Sequence, residues 1–348
     1  MSKKNIMLLF GGESSEHEVS LSSAENVYTA INPEKYNVDL CYIDKSGKWW
    51  LVSEVSEKPT DDNSRILVPI LGTGEFMTHP GGKLIKPDVI FPVLHGRNGE
   101  DGTVQGLTQL MHIPIVGCDV TSSGVAMNKL ACKGLLSANG IDIIPYRSHY
   151  DYQDIPDYDE IAKELGDTLF VKPARAGSSV GVSKVTSKEQ LEHALYEAHS
   201  HDSIALIEKA LTGKELEVAV LGTPPNHRTS GVGQIVPGDD FYSYDDKYAD
   251  SSTAQVILDA DINSDDKLRI KKSAEKAFEV LGGSGLSRID YILSDDGSLY
   301  LMEVNTLPGF TNISMYPKLW QKEGVEYNEL VDRLINEALV KWYNSYNI

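Results

Sequence analysis

The apolar run Ile6, Met7, Leu8, Leu9, Phe10, closed by Gly11-Gly12, has the length of a strand buried on both faces. Ser15 followed by Glu18 has capping-box spacing and predicts a helix through about Ile31. "YNVDLCYI" (36–43) predicts a second strand, and "DVIFPVLHG" (88–96) a third whose carboxyl end carries His95. Strands alternating with helical stretches predict a parallel α/β sheet, in which ligand loops gather at the carboxyl ends of the strands. The Gly-Gly turn and His95 both fall at that edge.

From Thr121 the pattern changes. "TSSGVAMNKLACKGLLSANG" (121–140) predicts a helix stopping at Gly140, where a C-terminal glycine belongs. "TLFVKPA", "SVGVSKV", the helix "SKEQLEHALYEAHS" and "SIALIEKA" then follow in the order of a small α+β lobe. Beyond "LTGKELEVAVLG", residues 235–256 are polar and rich in Asp, Ser and Tyr, and read as a mobile loop over a site. "SDDKLRIKKSAEKAFEVLGG" (264–283) predicts a helix with Leu268, Ala274, Ala277, Phe278 and Leu281 near one face. "SRIDYIL" and "SLYLMEV" flank Asp295-Asp296-Gly297 as a β-hairpin, and a last helix, about 325–344, packs as a cover. No internal repeat interrupts this order.

With 348 residues, 41% of them hydrophobic, the chain divides naturally into two or three packed units. Three cysteines without CxxC spacing argue against a disulfide framework or a thiolate zinc site and fit a reducing compartment. The first apolar run is far short of a signal sequence or membrane span, so cytoplasm is the expected location. A formal net charge of −19 disfavours nucleic acid, because polyanions reward clustered Lys and Arg. An anionic substrate must therefore be held by a few locally placed cations.

GxxxxGK[ST] is absent, as is GxGxxG after a strand. "VKPARAGSSVGVSKV" (171–185) delivers Lys172 from a strand into a Gly-Ser-Ser-Val-Gly loop. Its small residues let backbone N–H groups approach an anion, with Ser178 and Ser179 as further donors; a plain hairpin turn is the other reading. In "RID…MEVN", Asp290 and Glu303 fall on paired strands, with Asn305 two residues on and Arg288 two residues back, so all four can share a face. Two carboxylates and an amide oxygen are hard ligands suited to Mg²⁺ shared with phosphates, against the alternative of a solvated hairpin face. Arg288 could then meet negative charge developing beside the metal, or form a surface salt bridge worth under about 1 kcal/mol. His95, in the loop "HGRNGEDG", is a ligand contact or a turn residue.

Eight segments in order resemble the D-alanine–D-alanine ligases of the ATP-grasp superfamily: "GGESSEHEVSL", "LHGRNGEDGTVQG", "GCDVTSSGVAMNK", "VKPARAGSSVGVSKV", "IEKALTGKELEVAV", "FYSYDDKY", "GGSGLSRIDYIL" and "LMEVNTLPGFTNISMYP". The resemblance covers almost the whole chain. It implies a three-domain ATP-grasp fold of α/β and α+β parts: an N-terminal parallel α/β domain (1–120), a central lobe (121–211) and a C-terminal lobe (212–348), with ATP clamped between the lobes. It also implies ligation of two D-alanines through a D-alanyl phosphate for peptidoglycan precursor synthesis, with ATP as co-substrate, two Mg²⁺ or Mn²⁺ ions, and a homodimer.

By the same resemblance, Glu16 holds the first D-alanine's ammonium and His95 lies near its carboxylate. Lys129, Lys172 and Lys247 contact phosphates, with Ser179 in the loop over them. Glu208, Lys209 and Leu211 form the adenine hinge, and Glu215 meets the ribose. Asp290, Glu303 and Asn305 hold Mg²⁺. Arg288 and the Gly309 N–H form the oxyanion site, and Ser314 receives the second D-alanine's carboxylate. Ser178 and Tyr248 hydrogen-bond with Glu16, and a tyrosine at 248 favours an amine nucleophile. His17 and Ile313 depart from the usual pattern. The alternatives are a ligase joining D-alanine to D-lactate or D-serine, another acyl-phosphate ligase or carboxylase, and a non-catalytic binder on the same fold.

Overall fold

The computed structural model describes residues 2–60, 65–177, 180–236 and 255–346, whose strands form three sheets. The first is built on β1 (Lys4–Gly11), where Ile6 to Phe10 are wholly buried. Burial of each such side chain contributes roughly 1.5–3 kcal/mol, which makes this run the sheet's spine. β1 lies parallel between β2 (Tyr36–Ile43) and β7 (Val89–Val93), joined to β2 through α1 (His17–Ala30).

α1 begins with Glu16 at its N-cap rather than with the capping box expected from Ser15 and Glu18. Ser14 is the local anchor: its hydroxyl accepts from the Glu16 N–H at 3.2 Å and donates to His95 O at 2.6 Å. The start of α1 is thereby tied to the loop leaving β7.

The sheet is parallel only at its centre. Four strands, β3 (Trp49–Val52), β4 (Arg65–Ile70), β5 (Glu75–His79) and β6 (Leu84–Ile85), extend it as an antiparallel meander in the order β6-β5-β4-β3-β2-β1-β7. After β7 come α2 (Thr103–Met111), α3 (Val120–Met127) and α4 (Lys129–Ala138). The single helix expected over 121–140 is therefore two. Asn128 breaks it by taking an extended conformation, and its side chain caps α4 by accepting from Ala131 N at 3.2 Å.

The second sheet has the order β10-β9-β11-β8, with β8 (Tyr146–Tyr150), β9 (Leu169–Pro173), β10 (Ser183–Val185) and β11 (Ile204–Lys209). α5 (Tyr158–Leu165) and α6 (Lys188–His201) pack on it through Ile161, Leu191 and Leu195. The third sheet runs β14-β13-β12-β15-β16, from β12 (Gly213–Leu221), β13 (Arg228–Val236), β14 (Gln255–Ile257), β15 (Leu286–Ser294) and β16 (Leu299–Asn305).

α7 (Ser264–Val280) packs against the third sheet through Ile270, Ala274, Ala277 and Phe278. Leu268, expected on that face, is 53% exposed. The buried set 270, 274, 277, 278, 281 follows one stripe of a 3.6-residue helix, and 268 lies off it. α8 (Met315–Lys322) and α9 (Tyr327–Tyr346) pack with the third sheet and α1 into one apolar core. Of the loop read over 235–256, Ile235 and Val236 belong to β13, and Gln255 and Val256 to β14. Its remainder, including Lys247 and Tyr248, lies outside the described residues, as do Ser178 and Ser179. Among the described residues no helix is long and apolar enough to cross a membrane. Cys41, Cys118 and Cys132 are buried free thiols.

Candidate active site

The second and third sheets line a cleft of about 1190 Å³, solvent at its mouth included. Lys129 enters it from the first turn of α4, donating to Ala176 O at 2.6 Å, and burial lowers its pKa. Lys172 projects from β9, where it stands opposite Leu206 of β11. Two residues on along β11, Glu208 takes the same face, and Lys172 Nζ lies 2.6 Å from its Oε2. Lys133, one turn beyond Lys129, lies 3.0 Å from Glu208 Oε1, in charge contact rather than in an aligned hydrogen bond. Burial alone would push the Glu208 carboxyl up, but the two lysines outweigh it and hold Glu208 below the usual carboxylate range. Lys209, Leu211 and Glu215 line the cleft with Lys129, Lys172 and Glu208. All the expected nucleotide residues that are described thus share one cavity.

The opposite wall is a face of the third sheet. The β15–β16 register sets Asp290 across from Glu303 and Arg288 across from Asn305, while β12 sets Glu217 across from Asp290 on the other side. Arg288 grips Asp290 with both ends of its fork, Nε to Oδ1 at 2.8 Å and Nη2 to Oδ2 at 2.7 Å, and its Nε lies 3.2 Å from Glu217 Oε2. Burial alone would lower the guanidinium pKa; Asp290 and Glu217 outweigh it and raise it well above its ordinary value. Among the described residues no three His, Cys, Asp or Glu side chains converge as a metal cluster. The candidate donor set is two carboxylates and an amide, which suits a hard cation that completes its sphere with phosphate oxygens.

A third group forms where the N-terminal sheet meets the loop after β16. Asn305 Oδ1 accepts from Leu307 N at 3.1 Å, and Leu307 O accepts from His95 Nδ1 at 3.2 Å. His95 Nε2 lies 3.3 Å from Ser23 Oγ, which accepts from Phe310 N at 3.3 Å. His95 and Glu16 are both buried. Burial alone would lower the His95 pKa; Glu100, 3.8 Å away, and Glu16 outweigh it and raise it. A Cβ built on Gly96 would stand 3.0 Å from Glu16 Oε2, and one on Gly177 3.6 Å from the same oxygen. The Glu16 carboxylate is therefore seated against both the loop after β7 and the glycine loop after β9, and at Gly96, where φ is +70°, any larger residue would press on it.

Gly309 and Ser314 are also adjacent. A Cβ on Gly309 would come within 2.7 Å of Ser314 Oγ, which already accepts from Thr311 N at 3.0 Å. His17 is buried, with Nδ1 donating to Gly12 O at 2.6 Å, and Ile313 is exposed. Ser178, Ser179, Lys247 and Tyr248, also expected at this site, lie outside the described residues.

Models of the D-ala D-ala ligase N-terminus and C-terminus match residues 5–118 and 135–336. The chain belongs to the D-alanine–D-alanine ligase family. It is 45% identical to D-alanine--D-alanine ligase A of Chromobacterium violaceum over 98% of this chain and 96% of that one. With the D-alanine--D-alanine ligase of Geobacillus kaustophilus it shares 43% over 97% and 95%. Among solved structures, the D-alanine-D-alanine ligase from Coxiella burnetii superposes with a TM-score of 0.90 at 29% identity, covering 100% of this chain and 97% of that one. The VanG D-Ala:D-Ser ligase from Enterococcus faecalis gives 0.88 at 34%, covering 97% and 100%. The fold is the ATP-grasp arrangement of this ligase family.

Within that ligase fold, three acidic or basic residues at the site escaped the sequence reading. Glu217 follows Glu215 by two on a strand, so period-2 alternation already placed both on one face. Lys133 follows Lys129 by four on a helix, the spacing of one face. Glu100 sits in a glycine-rich loop, where no periodicity could single it out.

Proposed function

We propose that this chain ligates two D-alanines to D-alanyl-D-alanine at the expense of ATP, supplying a peptidoglycan precursor in the cytoplasm. The observation that carries the reading is the pairing of two walls in one cleft: Lys129, Lys172 and Glu208 on one side, and Arg288, Asp290 and Glu303 on the other. The first D-alanine sits with its ammonium on Glu16 and its carboxylate toward His95, whose raised pKa favours a positive charge there. That carboxylate attacks the γ-phosphorus of ATP, forming a C–O–P bond and releasing ADP. Lys129 and Lys172, with Lys247, neutralise the phosphates.

The amine of the second D-alanine, its carboxylate received by Ser314, attacks the acyl carbon as the neutral base. A tetrahedral intermediate forms, and its oxyanion is met by Arg288 and the Gly309 N–H. Collapse expels phosphate and leaves the peptide bond. The acyl phosphate must be shielded from water, and Ser178 and Tyr248 are assigned to hydrogen-bond with Glu16 beside it, with Ser179 assigned to ATP. Asp290, Glu303 and Asn305 would hold Mg²⁺ or Mn²⁺, which when bound neutralises phosphate charge. We read the assembly as a homodimer.

A second reading, D-serine as the second substrate, is favoured by the likeness to the VanG D-Ala:D-Ser ligase. Competition of D-alanine, D-serine and D-lactate in an ATP-dependent assay from about pH 6 to 9 separates them, with D-alanyl-D-alanine the expected main product throughout. Dominance of the D-serine or D-lactate product at neutral pH overturns the reading.

A further inference from the structure

Glu208 carries two lysines, and only one of them is accounted for by phosphate binding. Lys172 faces the cleft and is the residue assigned to ATP phosphate. Lys133 is 2% exposed, lies 3.0 Å from the other oxygen of the Glu208 carboxylate and stands over the Tyr146 ring at 5.8 Å. It is not among the residues that line the cleft. Register explains the cluster: Tyr146 of β8 lies directly across from Glu208 of β11, so ring and carboxylate share a face and both stand near the Lys133 ammonium. A buried lysine is costly to keep charged, and such a charge persists in a fold only where a partner compensates it. Among the described ion pairs, Glu208 is the one that Lys133 makes.

A carboxylate at the purine end of an ATP cleft has a definite chemical preference. It accepts from the exocyclic amine of adenine and repels the carbonyl that guanine presents at the same position. This works only while the carboxylate is ionised and fixed. When Lys172 turns to phosphate, Glu208 loses its 2.6 Å partner. What remains in place is Lys133.

We propose that Lys133 is a positioning residue for nucleotide selection, the resident counterion that keeps Glu208 ionised and aimed at the adenine 6-amino group once Lys172 is engaged by phosphate. The proposal rests on the ATP-hinge reading of Glu208. It also accounts for the cluster's composition: one lysine that can leave, and one that cannot.

The test compares ATP with purine riboside 5′-triphosphate, which lacks the 6-amino group, for wild type and Lys133→Met. A charged hydrogen bond to that amine gives the wild type a preference for ATP in KM on the order of 10-fold or more. In K133M the KM for ATP rises toward that of the analogue, the ratio falls to about 3-fold or less, and both kcat and the KM for D-alanine stay within about 2-fold. K133Q, which removes the charge without setting an apolar group against the carboxylate, carries the same prediction if K133M does not fold. A K133M enzyme that discriminates as sharply as wild type, or whose KM rises equally for both nucleotides, overturns the proposal and leaves the hinge reading standing. A wild type that does not discriminate overturns the hinge reading and this proposal with it.

Discussion

Arg288 lies between two carboxylates, Asp290 and Glu217, as a largely buried side chain of the cleft. A guanidinium fixed in this way is already oriented before charge develops, which is what makes a preorganised donor effective in a transition state. Replacing it with lysine would keep the charge and lose the fork. Arg288→Ala is expected to lower kcat for phosphate release by about 10²–10³-fold, and Glu303→Gln to abolish measurable turnover, both with unchanged far-UV circular dichroism. Retained turnover in either variant contradicts the roles assigned here. At this scale strand alternation was the readable signal: it placed Arg288, Asp290, Glu303 and Asn305 on one face, and the register set them in two direct cross-strand pairs. It could not reveal that Arg288 already grips Asp290, because that depends on rotamers and burial rather than on spacing.

Besides the Lys129 contact with Ala176 O, a clamp at Arg175 anchors the base of the glycine loop after β9. Arg175 donates to the Asp202 carboxylate from its backbone N–H at 2.8 Å and from its side chain, while Ile204 N adds a bond at 3.1 Å, so the end of α6 and the start of β11 hold the loop's base. Burial alone would raise the Asp202 pKa; Arg175 and the backbone donors outweigh it and lower it. A depressed carboxylate contributes stability above its unfolded pKa, and that contribution is lost as pH falls through the folded one. Arg175, with a side chain 49% exposed, is partly screened. Arg175→Ala should therefore cost only about 1 kcal/mol at pH 7 in urea unfolding, the difference from wild type shrinking below about pH 4. A difference that grows on acidification contradicts the clamp. Elements with one strong period were legible, such as β1, β2 and the β15–β16 hairpin. The β3–β6 meander was not: its strands are short, and Pro69 stands within β4, where a proline argues against a strand until its pairing with Phe76 is seen. Pro317 similarly hides α8, although a first-turn proline costs a helix no hydrogen bond.

Taken whole, the molecule carries a net charge of −19 yet lines one cleft with Lys129, Lys172 and Lys209, so the cations for an anionic ligand are gathered locally against the overall field. The segments that leave β1 and β7 of the first sheet bring Glu16 and His95, α4 brings Lys129, the second sheet Lys172 and Glu208, and the third the acidic hairpin. Asn305, Leu307 and His95 form a continuous hydrogen-bonded link from the hairpin to the loop after β7. The central claim is that the oxygen bridging carbon and phosphorus comes from the first D-alanine. Turnover of ATP with D-alanine labelled by ¹⁸O in its carboxylate, with mass analysis of the released phosphate, tests this most directly. The account predicts D-alanyl-D-alanine together with phosphate carrying one labelled oxygen; unlabelled phosphate, or phosphate release independent of D-alanine, would contradict it.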